Sequence, residues 1–237
     1  MTPPSVSFLD CLPHTPRVQL TRQCEAVELN LAQVLSESGT PLSHVYFPVD
    51  AFLSLVVKVD AHPALEVGMV GREGMLGSEI ALGKVSTPFR TLVQGAGACL
   101  RMQANDFRTQ LDHSPDLQTV CHSYLLVRLH QVARAAACER FHPIGPRLAR
   151  WLLMSQDRAH STTFHMTHEF IALMLGVRRV GVTVAAGALQ RSGVIEYHRG
   201  QLTVLDRTAL AAQACSCYEA DKASHLNLMG PSHPEPA

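Results

Sequence analysis

At 237 residues, with 46% hydrophobic and 17% charged residues, the chain has the bulk for one large core or two small ones and is not composed like a disordered polymer. Basic and acidic residues balance at 20 each, which excludes a uniformly basic polyanion binder and a strongly acidic protein. No run of about 18 apolar residues suggests a membrane span, and the seven cysteines follow no framework of short spacings, so a reducing, cytoplasmic location is expected.

The charge is unevenly placed. Residues 140–207 carry nine arginines, no lysine and four acids, whereas residues 1–139 carry ten basic and 13 acidic residues. A basic module inside a neutral chain is an electrostatic footprint for a polyanion.

Met1 to Asp10 lacks a basic region followed by an apolar core, so no secretory signal is expected. Residues 1–16 hold four prolines and read as a loose lead-in. From Arg17 the pattern is strand-like. Val27 to Leu31 alternates with period two, and Val45 to Phe47, Leu53 to Val59, Leu65 to Val70, Thr91 to Val93 and Cys99 to Met102 are short β-branched or aromatic runs. Turn residues separate them, as at Gly39-Thr40-Pro41 and Gly95-Ala96-Gly97. Short strands at this spacing predict an antiparallel β-roll over residues 17–113.

At Ser114-Pro115-Asp116 the period changes. A capping hydroxyl, a proline at the first helical position and an acid near the positive dipole end open a helix. Leu117, Cys121, Leu125, Leu129, Val132 and Ala136 form one stripe, and Val120, Tyr124 and Val127 a second. The helix is expected within residues 114–141, stopping before His142-Pro143. About 25 residues span roughly 37 Å, more than one small roll covers, so a homodimer paired along this helix is expected, the alternative being a long helix buried within one subunit.

Residues 142–217 read as a second unit, followed by a tail over 218–237. Pro146 to Met154 is a helix and Thr162 to Met166 a strand. Thr167 caps a helix to Leu175, closed by Gly176. Arg178 to Arg191 is the next helix. Two short strands then flank His198-Arg199-Gly200, and Asp206 caps a last helix from Arg207 to about Cys217. Helix, strand, helix, Gly turn, helix, hairpin is the order of a winged helix-turn-helix. In helix 178–191, Val182, Ala185, Ala186 and Leu189 share the inward face. Arg178, Arg179, Thr183 and Gln190 lie away from it, with the arginines at the end that would enter a major groove.

The segment "FHMTHEFIALMLGVRRVGVTVAAGALQRSGVIEYHRGQLTVL", Phe164 to Leu205, resembles the DNA-binding domain of the Crp/Fnr family of transcription regulators. Thr167, Gly176, Arg179, Leu189, Gly193 and Ile195 carry the match, and "VYFPVDAFLSLV" with "LEVGMVGREGMLG" resembles the family's β-roll. The implied fold is α+β: a cyclic-nucleotide-binding-like antiparallel roll, a long dimerisation helix and a C-terminal winged helix-turn-helix. The implied function is sequence-specific binding of double-stranded DNA at a roughly palindromic operator by a homodimer, with RNA polymerase as a further partner if the regulator activates. The resemblance makes Arg179 the base reader, with Arg178, Thr167, His168 and the wing residue Arg199 as phosphate contacts. Arg178 has an alternative, an ion pair with Glu169. Where better-known members carry a glutamate after the arginine and a second arginine four residues on, this chain has Val180 and Val184, so the usual half-site does not carry over.

The family's nucleotide cassette is partly present. Gly77 stands at its glycine and Arg90-Thr91 at its phosphate-binding pair, but Ser78 occupies the place of the ribose-binding glutamate. A small effector at Gly77, Ser78, Arg90 and Thr91 is therefore left open, and cyclic AMP is not expected. No other cofactor is expected and no metal. Cys215-Ser216-Cys217, read as helical, would diverge, and the histidines lack a ligand spacing. No nucleophile elbow or phosphate loop appears, so no enzyme is expected. The competing reading is a β-roll ligand-binding protein or enzyme whose C-terminal helices serve oligomerisation.

Overall fold

The computed structural model describes residues 7–159 and 161–230. The first six residues of the expected lead-in and the proline-rich end after Gly230 lie outside them. Seven strands build the N-terminal roll: β1 (Glu25–Leu29), β2 (Val34–Ser36), β3 (His44–Pro48), β4 (Phe52–Val57), β5 (Leu65–Val70), β6 (Arg90–Gly95) and β7 (Gly97–Gln103). They form two antiparallel sheets, β1-β7-β3 and β2-β6-β4-β5. Leu29, Leu53, Leu55, Val70 and Val93 fill the space between them.

Three helices sit around the roll. α1 (His14–Arg22) precedes it, and α2 (Ala104–His113) and α3 (Pro115–Phe141) follow it. From residue 7 on the lead-in is packed: Phe8 and Leu12, with Leu20 of α1, are buried in a core they share with Phe107, Leu117, Cys121 and Tyr124. Burial of Phe8 and Leu12 outweighs Pro13 and Pro16, which stand at the N-cap and in the first turn of α1, where proline is tolerated. The start of α3 is as expected, with Ser114 Oγ accepting from the Leu117 N–H at 3.3 Å and Pro115 in the first turn.

The C-terminal unit comprises α4 (Ile144–Ala159), β8 (Thr163–His165), α5 (His168–Leu175), α6 (Arg179–Arg191), β9 (Ile195–His198), β10 (Gln201–Val204) and α7 (Arg207–Gln213). The strands form a three-stranded sheet, β8-β10-β9. Leu148, Leu152, Ile171, Val182, Leu189, Ile195 and Leu202 make its core, which extends into the roll through Val56 and Met69.

Two expectations at this end are corrected. The helix from Arg207 stops at Gln213, and Ala214 turns extended (φ −74°, ψ 155°), so Cys215 and Ser216 lie in a connection and Cys217 opens the next helix. The expected tail is a further helix, α8 (Cys217–Met229), that folds back on α3. Ser224 Oγ meets His130 Nδ1 at 2.9 Å, and Asp221 accepts from Arg150 at 2.7 Å and forms an ion pair with Arg134 at 3.0 Å.

The expected stripes of α3 are also redistributed. Leu117, Cys121, Tyr124 and Val127 face the roll, and the α8 side takes His130 and Arg134. Leu126, Leu129 and Val132 stay 41%, 63% and 37% exposed, with Ala133 and Ala136 beside them. The expected stripe mixed these faces: its Leu117 and Cys121 are covered, whereas Leu129, Val132 and Ala136 are open.

Candidate nucleic-acid interface

Local chemistry sets α5 and α6 at an angle to each other. Thr167 caps α5 by accepting the Phe170 N–H at 3.1 Å. Gly176 ends it at φ 62°, a left-handed conformation that glycine adopts without strain. A Cβ there would also lie 2.7 Å from Leu65 Cδ1 of β5, so glycine lets the turn sit against the roll. The axes of α5 and α6 differ by 108°, the geometry of a helix-turn-helix.

Arg178 is the extended N-cap of α6, and Arg179 is its first residue. Val182, Ala185, Ala186 and Leu189 are buried as expected. On the outward side stand Arg179, Val180, Thr183 and Val184, all exposed. The two valines are 72% and 64% exposed, an apolar pair in the middle of a polar face with no packing role in the protomer. Arg179 pairs with Glu169 of α5, Nε to Oε1 at 2.8 Å. The alternative considered for Arg178 thus falls to its neighbour: the N-cap backbone carries Arg178 away, while the first helical turn points Arg179 at α5. Both partners are over 60% exposed, so the pair is weak and exchangeable.

His168 and Gln190 hold the interface together. His168 Nδ1 lies 3.0 Å from Thr183 Oγ1, and the ring stacks on Tyr197 of β9 at 4.4 Å. Its Nε2 is buried without a partner among the described residues. Burial first, and then the Arg179 charge, push the imidazole below its ordinary value, so it is neutral at neutral pH. This geometry orients Thr183 and the wing more than it offers a phosphate contact. Gln190 Oε1 accepts the Tyr197 N–H at 3.0 Å and ties the end of α6 to the wing. Sequence reasoning missed Tyr197, whose hydroxyl also donates to the Met166 carbonyl at 3.0 Å. At the wing tip Arg199 and Gly200 take φ 49° and 82°, a turn that leaves the arginine exposed.

The polar side chains of the effector cassette at Arg90 and Thr91 are engaged with other residues. Thr91 is fully buried, and its hydroxyl accepts from Ser36 at 2.8 Å. Arg90 is exposed and paired with Glu37 at 3.2 Å. Gly77 (φ 95°) opens a short 3-10 turn whose Ser78 is buried. Among the described residues no hydrogen bond joins Arg90 or Thr91 to Gly77 or Ser78. A shallow pocket of about 380 Å³ lies elsewhere, lined by Asp10, Arg17, Val49 and Arg72.

The DNA-binding unit is fastened to the roll by buried polar contacts. The Glu66 carboxylate of β5 is enclosed although the residue as a whole is half-buried. It accepts from Ser54 Oγ at 2.5 Å and from the indole N–H of Trp151 in α4 at 2.8 Å. Glu73 and Arg158 pair at 2.6 Å with their side chains only 13% and 9% exposed. His225 of α8 joins them through the Glu73 carbonyl at 3.1 Å.

Residues 146–213 match the family model of the Crp-like helix-turn-helix domain. The chain carries a Crp-like DNA-binding domain on a Crp/Fnr fold. No curated protein matches the sequence significantly, so the fold is recognised through solved structures. FixK2 from Bradyrhizobium japonicum is 13% identical over 81% of this chain and 98% of its own, with a TM-score of 0.68. A Crp/Fnr-family transcriptional regulator from Thermus thermophilus is 21% identical over 80% of this chain and 98% of its own, with a TM-score of 0.66. The c-di-GMP responsive global regulator CLP of Xanthomonas campestris is 14% identical over 82% of this chain and all of its own, with a TM-score of 0.66. The matched segment runs from the first turn of α4 to the end of α7, so the helix-turn-helix described above is of the Crp-like kind.

Proposed function

We propose that the protein is a DNA-binding transcription regulator of the Crp/Fnr type that binds a roughly palindromic operator as a homodimer, with α6 of each protomer in the major groove of one half-site. The observation that carries the reading is the outward face of α6. It presents Arg179, Val180, Thr183 and Val184 from a helix whose other side is locked into the domain core. Arginine reads guanine bidentately, and a valine methyl suits the thymine methyl. Arg178, Arg199 and the first-turn N–H groups of α5 beside Thr167 supply phosphate contacts. His168 and Gln190 position the readers.

The dimer forms along the exposed face of α3 through Leu126, Leu129, Val132, Ala133 and Ala136. Their spacing suits a helix pair, and large exposed apolar residues in one row mark an interface. The reading assigns no catalytic step and places the protein in the cytoplasm. RNA polymerase is a partner if the output is activation. Cyclic AMP is not the effector, because Ser78 replaces the ribose acceptor and the Thr91 hydroxyl is committed to Ser36.

Selection of bound fragments from a random duplex library with the purified protein tests this. The expected product is a pair of inverted half-sites with centres about one helical turn apart, bound with an affinity that falls steeply with salt. A library that returns unenriched, or single direct half-sites bound by monomer, contradicts the reading.

A further inference from the structure

The fold gathers four ligand-type side chains from two ends of the C-terminal half. Cys138, His142, Cys215 and Cys217 each point one donor atom into a common space, and all four atoms lie within 4.8 Å of one another. The Cys138 and Cys215 sulfurs are 3.6 Å apart, and Cys217 Sγ is 3.6 Å from His142 Nδ1. A tetrahedral zinc ion with zinc–sulfur bonds of about 2.3 Å and zinc–nitrogen bonds of about 2.0 Å requires sulfur–sulfur separations of roughly 3.8 Å and sulfur–nitrogen separations of roughly 3.5 Å. We propose that Cys138, His142, Cys215 and Cys217 form a tetrahedral Cys3His zinc site that fastens the end of α3 to the start of α8 and the connection before it.

The local backbone explains how the donors converge. Cys138 stands in the last turn of α3, and His142 caps the helix by donating its N–H to the Cys138 carbonyl. His142 precedes Pro143, which disfavours helical backbone at that residue, and it is extended at φ −104°, ψ 138°. Across the gap, the Cys215 N–H donates to the Pro146 carbonyl at 3.2 Å. That bond pins the connection against the start of α4. The extended backbone at Ala214 and the turn at Ser216 bring the two thiols to one side, which a helix would not.

The composition of the cluster separates it from ordinary packing. Cys99 and Cys121 are buried among aliphatic and aromatic side chains. Cys138, Cys215 and Cys217 instead form a small buried group containing no other apolar residue. Three thiolates, one imidazole and a divalent ion carry one net negative charge. Arg150 places a positive charge near all three sulfurs, opposite in sign to that net charge. Thiolate and imidazole donors in a closed tetrahedral set select zinc among the common divalent ions. Each thiol releases its proton on binding. With all four positions filled by protein, the site is structural and leaves no place for a substrate.

The ion would bridge both ends of the DNA-binding domain. Two ligands precede residues 146–213 and two follow them, so occupancy would hold that domain and α8 against the dimerisation helix. The test uses tag-free full-length protein, kept reduced and incubated with Zn²⁺, then freed of excess ion and measured by elemental analysis. One zinc per chain is expected, falling to near zero in Cys217→Ser and staying at one in Cys24→Ser. Co²⁺ in place of zinc should give intense thiolate charge-transfer absorption and tetrahedral visible bands. His142→Cys should retain one ion and move those bands toward a four-thiolate spectrum, which a folding defect would not produce. Folded wild-type protein that takes up neither zinc nor cobalt overturns the proposal. So does zinc retained in Cys217→Ser, an iron–sulfur chromophore in place of zinc, or a Cys138–Cys215 disulfide that persists under reducing conditions and blocks uptake.

Discussion

Replacing Glu66 with glutamine should stabilise the protein at neutral and alkaline pH and leave it unchanged in acid. Burial raises this carboxyl from its ordinary 4.5 to about 7, against the hydrogen bonds from Ser54 and Trp151 and the charges of Arg158 and Arg150, which pull it down. A folded-state value above the unfolded one means that the folded protein holds a proton which the unfolded chain has already lost. Stability therefore falls as the pH rises from 4.5 toward 7 and levels off above that. At about 1.4 kcal/mol per pH unit, the deficit above pH 7 approaches about 3 kcal/mol. Glutamine accepts the Trp151 N–H and bonds Ser54 without a charge, so Glu66→Gln removes the deficit. Trp151 is the single tryptophan of the chain and touches the titrating group, so its emission reports the event. Wild-type emission should titrate with a midpoint near 7 and the variant's should be flat. Urea unfolding should show equal stabilities at pH 4.5 and an advantage for the variant at pH 8. Equal pH dependence in the two proteins would refute the account of this contact.

Glu73→Gln should act in the opposite direction. It leaves the Arg158 guanidinium buried and unpaired, and breaking such a pair costs about 3–5 kcal/mol, read as a lowered urea midpoint. Leu129→Glu should leave the protomer folded, because the side chain is 63% exposed, yet convert a dimer to monomer in sedimentation. A dimer that survives the change places the interface elsewhere. Calorimetry with cyclic AMP should show no binding at micromolar concentration, and low-micromolar binding abolished by Arg90→Ala would restore the nucleotide cassette.

The winged helix-turn-helix was legible because its local signals are strong and adjacent. Thr167, Gly176 and Asp206 mark helix ends within a few residues of the elements they bound, and the buried face of α6 repeats at helical spacing. Elements whose stability comes from distant partners were not legible. α8 buries Cys217, Tyr218, Asp221 and Met229, one of them an acid neutralised by two arginines, so its apolar periodicity is absent. α1 buries only Leu20, and β2 is three residues long with a register shift. α2 carries Ala104, Phe107 and Leu111 on one face, a periodicity hidden by its join to the last strand of the roll. The Arg179–Glu169 pair and the Tyr197 stack depend on the crossing of α5 and α6, which spacing alone does not supply. The four-ligand cluster joins residues more than 70 positions apart, and its extended connection looked helical in the sequence.

The central claim is that α6 reads DNA, and comparing Arg179→Ala with Arg199→Ala on operator and random duplexes across a salt series tests it most directly. Arg179→Ala should cost about 1–3 kcal/mol per half-site on the operator and flatten the preference for it. Arg199→Ala should weaken both duplexes alike and reduce the salt slope by about one unit for each protomer. Full operator preference in an Arg179→Ala protein that remains folded and dimeric would contradict the account.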